Sequence, residues 1–125
     1  MGHITRQGTD SPLHAKSMSF AVDIVKMEKQ NNAWCVNSLF QQILRSGTSI
    51  HANVRESEFA QSPADFISKL TISLKEANET KGWLEVFYEA GCIDETSFDS
   101  LYPRCKELIA IFIASIKTSK TNNNL

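Results

Sequence analysis

Between Val36 and Val54 the apolar and small residues Val36, Leu39, Phe40, Ile43, Gly47, Ile50 and Val54 recur at intervals of three and four. That period belongs to an α-helix with one buried face, and it is incompatible with the two-residue alternation of a half-buried strand. The segment, read as a helix from about Trp34 to Ala60, carries an apolar face that must be buried against other elements. Three more segments supply them.

The first, from about Ser17 to Gln30, carries Phe20, Ala21, Ile24, Val25 and Met27 on one face, with Asp23, Lys26 and Lys29 outside. Asn31 and Asn32 break it. The third has the clearest start: Ser62 as N-cap, Pro63 at the first helical position and Asp65 three residues after the cap. Its buried stripe is Phe66, Ile67, Leu70, Leu74, Ala77, Leu84 and Phe87, and Gly91 ends it. The fourth begins between Asp94 and Ser100 and runs to about Lys117, with Leu101, Cys105, Leu108, Phe112 and Ile116 inward and Ile109 and Ile113 widening the stripe. Pro103 is tolerated only in a first turn, so the regular helix is expected to start near Ser100 or to kink. Short connections force neighbours to run antiparallel. The fold class is therefore all-α: a single-domain, antiparallel up-down-up-down four-helix bundle over 17–117, with disordered tails at 1–16 and 118–125.

Within the second segment, Ser46-Gly47-Thr48-Ser49 puts four small residues in a row. Glycine costs about 1 kcal/mol in a helix interior. Its use there is explained by close approach of another helix. A phosphate loop would need further glycines before a Lys-Ser/Thr pair, between a strand and a helix.

Composition narrows the function. Thirteen basic and fourteen acidic residues give a formal net charge of −1, so no overall basic excess is available to bind phosphates. The cations that could contact nucleic acid are Arg45, Arg55, Lys69, Lys75 and Lys81, with Lys106, Lys117 and Lys120 on the fourth segment, all interleaved with acids. The three cysteines, Cys35, Cys92 and Cys105, lack CxxC spacing. Their odd number argues against a disulfide framework and a zinc site, and fits a reducing, cytoplasmic setting. No Glu-x-x-His pair is present to hold metals in a bundle, so neither metal nor cofactor is expected. His3 and His14 fall in the expected tail, and His51 stands alone. The longest apolar run, Leu108 to Ala114, is too short to span a bilayer. No catalytic constellation emerges, and a non-enzyme is expected.

The segment Arg45-Ser-Gly-Thr-Ser-Ile50, followed by Ala52-Asn53 and Arg55-Glu56, and the later block Leu74-Lys-Glu-Ala-Asn-Glu-Thr80, flanked by Asp65-Phe66, Lys69-Leu70 and Trp83-Leu84, carry a resemblance. Together they resemble the four helix bundle protein family. That family includes proteins encoded in intervening sequences of bacterial 23S ribosomal RNA genes, formerly labelled S23, and the accessory variability determinant of diversity-generating retroelements. The resemblance covers roughly Ser19 to Lys120. It implies an up-down bundle and, as in several members, a ring-shaped homopentamer acting as an adaptor or scaffold. Ser46, Gly47, Thr48, Ser49 and Asn53 would then serve helix packing or assembly. The retroelement accessory protein binds nucleic acid with a reverse transcriptase through a strongly basic surface. The balanced charge of this chain departs from that pattern, which leaves RNA or a reverse transcriptase as the alternative partner.

Overall fold

The computed structural model describes residues 11–29 and 37–125, and the side chains of 11–27 and 37–125. Four helices make up the described chain: α1 (Pro12–Lys29), α2 (Asn37–Ser57), α3 (Pro63–Glu89) and α4 (Glu95–Asn122). Each packs on its neighbours in the chain, and α4 returns to pack on α1. This is the expected up-down-up-down four-helix bundle. The break at Asn31 and Asn32, together with Trp34, Cys35 and Val36, lies outside the described residues.

Helix ends follow local chemistry. Ser62 caps α3 by accepting the Asp65 N–H at 3.1 Å, while Asp65 returns a carboxylate oxygen to the Gln61 N–H at 3.1 Å. The reciprocal bond thus lands one residue before the cap rather than on it. At the other end of α3, Gly91 takes φ 79°. The Cys92 N–H there reaches the Phe87 carbonyl at 2.7 Å, and the Gly91 N–H reaches Tyr88 at 3.0 Å. These are the two bonds of a Schellman stop, which favours glycine because the left-handed conformation crowds a Cβ.

Helix α2 ends at Ser57, short of the expected Ala60, and two other ends differ more from the sequence reading. The helix expected from Ser17 starts at Pro12, because the Ser11 side chain accepts the His14 N–H at 3.0 Å and Pro12 occupies the first turn. Residues 12–16, expected in the disordered tail, are thus the first turns of α1. At the far end α4 continues to Asn122 instead of stopping near Lys117. Its start is set by Asp94, whose side chain accepts the Ser97 N–H at 2.8 Å. Pro103 therefore lies inside the helix, where it withholds one N–H from the exposed Asp99 carbonyl turn.

The core runs the length of the bundle: Phe20 and Ile24 from α1, Phe40, Ile43 and Ile50 from α2, Leu70, Leu84 and Phe87 from α3, and Leu108 and Phe112 from α4. Phe40 stacks on Phe87 with ring centres 4.7 Å apart. Val25 and Ile113, expected inside, are exposed instead. On α1, Val25 joins Met18 and Val22 at a spacing of four and three to form an apolar strip on the outside.

The four small residues of α2 divide between interfaces. Gly47 faces α1, where a Cβ would sit 3.0 and 3.1 Å from the Ile24 side-chain carbons. Ser46 faces α3. Thr48 bonds back to the Leu44 carbonyl at 2.7 Å, and Asn53 donates to the Ser49 carbonyl at 3.0 Å, so both are satisfied within α2. Gly82, in the middle of α3, has nothing within 4 Å of an added Cβ. The two helical glycines should therefore respond in opposite directions. Gly47→Val should lower the unfolding free energy by about 1–3 kcal/mol through overpacking. Gly82→Ala should raise it by about 0.5–1 kcal/mol, because alanine loses less backbone entropy in a helix. Urea denaturation of the two variants measures both.

Candidate functional site

The blocks Arg45–Ile50 and Leu74–Thr80 lie opposite one another on antiparallel α2 and α3, where they form a polar seam. At its outer edge the Arg45 guanidinium spans two carboxylates one turn apart on α3. Nη1 donates to Glu76 Oε2 at 2.8 Å, and Nη2 donates to Glu79. Trp83 Nε1 adds a bond to the same Glu79 oxygen at 3.2 Å. The Arg45 hydrogen bond holds the Glu79 carboxyl below the usual carboxylate range, outweighing partial desolvation, with help from Trp83.

Deeper in the seam, Ser46 and Thr80 are fully buried and share a hydroxyl–hydroxyl bond of 2.8 Å. Thr80 also donates to its own helix at the Glu76 carbonyl. Ser73, equally buried, crosses to the Ile50 carbonyl at 3.0 Å. From α4, the Cys105 thiol reaches the Ala77 carbonyl at 3.2 Å. Burial pushes that thiol up to about 12, so it holds its proton and is a poor nucleophile. Each buried polar group of the seam has a partner, as a structural role demands.

The five cations singled out as nucleic-acid contacts do not form one patch. Arg45 is taken up by Glu76 and Glu79, Lys69 lies 3.9 Å from Asp65, and Lys81 lies 3.7 Å from Glu85. Lys81 also sits over the Tyr102 ring at 5.8 Å, with Lys106 at 5.1 Å from the same ring. Arg55 and Lys75 are exposed, on α2 and α3 respectively, without an ion pair among the described residues. The thiol reading changes at Cys92, which is disulfide-bonded, so the cysteines are not all free; Cys105 is free and buried. Among the described residues no group of three or more His, Cys, Asp or Glu side chains is placed to hold a metal ion. No described helix is long and apolar enough to cross a membrane.

Sequence reasoning missed a second polar cluster, where the start of α1 meets the end of α2. Ser17 Oγ and His51 Nδ1 are 2.9 Å apart and buried, and His14 Nδ1 lies 2.5 Å from Glu58 Oε2. The two imidazoles meet edge to face at 5.1 Å. The signal was Ser11-Pro12. Read as a helix start, it would have brought His14 onto α1, three residues before Ser17.

The fold and the seam define a class: an all-α bundle whose distinctive polar residues tie its helices to one another. The family model described as 23S rRNA-intervening sequence protein matches residues 9–114, and the chain belongs to that family. It is also similar to a crystal structure of a protein of unknown function from the S23 ribosomal protein family of Bacteroides thetaiotaomicron. That chain is 43% identical, with a TM-score of 0.76, over 84% of this chain and 98% of the other. No curated protein matches the chain.

The seam predicts a measurable coupling. Thr80→Val should cost about 1–2 kcal/mol, because Ser46 loses its buried partner and keeps only a long bond to Ile43 at 3.4 Å. Adding Ser46→Ala should then cost less than it does alone. A double-mutant cycle by urea denaturation reads the difference.

Proposed function

We propose that this protein is a non-catalytic scaffold that works by assembling with copies of itself, in a ring of five. The observation that carries the reading is the second apolar face of α1. Phe20, Ile24 and Met27 already fill the core side of this helix, yet Met18, Val22 and Val25 continue an apolar strip where they are about 40% exposed. A helix apolar on two sides suits a position between its own bundle and a neighbour. The number five comes from the family resemblance, several of whose members form homopentamers.

A non-catalytic role agrees with the chemistry of the polar residues. The seam hydroxyls are bonded to one another, the Cys105 thiol keeps its proton, and the Ser17–His51 pair is closed off from solvent. The nucleic-acid reading has less to draw on. Of the five cations suggested for it, three are engaged by carboxylates within the chain. Exposed ion pairs are weak and can be exchanged for phosphates, but the net charge of −1 supplies no general attraction.

Native mass spectrometry at micromolar concentration should give an assembly of about 70 kDa, five chains of 14.0 kDa. Val22→Asp with Val25→Asp should convert it to monomer while helical circular dichroism is retained. An unmodified protein that stays monomeric would overturn the reading.

A further inference from the structure

We infer that Ser17, His14, His51 and Glu58 form an acid-sensitive clasp that holds the first half of α1 against α2 and releases it when His51 takes a second proton. The geometry is that of an interface closed by an imidazole with no spare acceptor. His51 is 8% exposed and Ser17 is fully buried. Of the two ring nitrogens of His51, Nδ1 meets Ser17 Oγ, whereas Nε2 is buried with no hydrogen-bond partner among the described residues.

The conclusion does not depend on which tautomer is present. Ser17 Oγ is also within 3.2 Å of the His14 carbonyl, to which it can donate. If it does, it accepts from His51 Nδ1–H, and Nε2 is a bare acceptor inside the interface. If instead Ser17 donates to Nδ1, then Nε2 carries the hydrogen and points it at nothing. In both cases the imidazolium has two N–H donors and one available acceptor. A buried donor without an acceptor costs about 1–3 kcal/mol, and more when charged.

Charged neighbours reinforce the effect. Those acting on His51 are His14 from α1, Arg55 from its own helix and Glu58 from the turn that follows it. His14 and Arg55 oppose a positive charge there. Glu58 favours one, but its carboxylate is directed to His14 at 2.5 Å. Burial, first, and then His14 and Arg55 hold His51 below its ordinary value of 6.5. The sign follows: with the docked value depressed, the undocked helix takes the proton first. The clasp is fully closed above about pH 6.5 and weakens as the pH falls below it.

Rupture is expected to be local. The partners lie on the first turns of α1 and the last turns of α2, whereas the Gly47–Ile24 contact holds the rest of α1 in place. The clasp acts within one chain and does not depend on assembly.

Hydrogen exchange of the full chain, corrected for the intrinsic pH dependence of exchange, tests this at pH 7.5 and 5.5. Protection of α1 amides between 13 and 21 should drop by up to about tenfold at the lower pH, the limit set by uptake of one proton with an ordinary value near 6.5. Amides in the centre of α3 should change less than about twofold. His51→Gln should abolish the drop, and His14→Gln should retain it. Equal α1 protection at both pH values, or a drop that persists in His51→Gln, would overturn the clasp. Should His51→Gln fail to fold, the ring titration of His51 by NMR in the unmodified chain decides. Protonation midway through the loss of α1 protection supports the clasp, and protonation without any loss refutes it.

Discussion

Two adjacent small residues on α2 set the spacing of three helices. Gly47 lets the Ile24 side chain of α1 come to 3.0 Å of where a Cβ would stand, and Ser46, one position earlier, meets Thr80 of α3. Successive helical positions point about 100° apart, so one dipeptide can address two neighbours at once. A larger residue at either place would push a helix outward, and the layers of Phe20, Ile43, Ile50 and Leu84 would no longer close. Glycine's conformational cost in a helix is offset here by packing.

The same pair explains why the distinctive sequence blocks are polar without being a reactive site. Ser46, Ser73 and Thr80 are buried because the helices are close, and being buried they need partners, which they find across the seam or in a backbone carbonyl. Arg45 closes the solvent edge of that seam by spanning Glu76 and Glu79. Such a network adds little net stability at an exposed edge, where side-chain entropy and solvent screening oppose it. Its value lies in register: an Arg fork on two carboxylates one turn apart fits one vertical alignment of α2 on α3 and no other.

Much of the fold was legible because periodicity and caps are local. Ser62-Pro63 and Gly91 were placed by residue type alone, and the structure shows the bonds that residue type implied. The small residues at 46–49 were legible as packing, though not as packing on two different helices. The opening of α1 was missed because Ser11-Pro12 precedes the apolar stripe, which by itself gives no reason to begin so early. That miss hid His14, and a contact between positions 17 and 51 has no local signature. The strip Met18, Val22 and Val25 was obscured for a related reason. Val25 sits next to Ile24, and apolarity alone does not separate a core face from a second face beside it.

Arg45, Ser46, Ser73 and Thr80 hold one chain's helices together, and the proposed contacts between copies fall on the outer face of α1. A crystal structure of the assembled protein decides between these arrangements. It should show Arg45 bound to Glu76 and Glu79 of its own chain, with a neighbouring copy covering Met18, Val22 and Val25. Arg45 bridging to the carboxylates of another copy, with the α1 strip left in solvent, would contradict it.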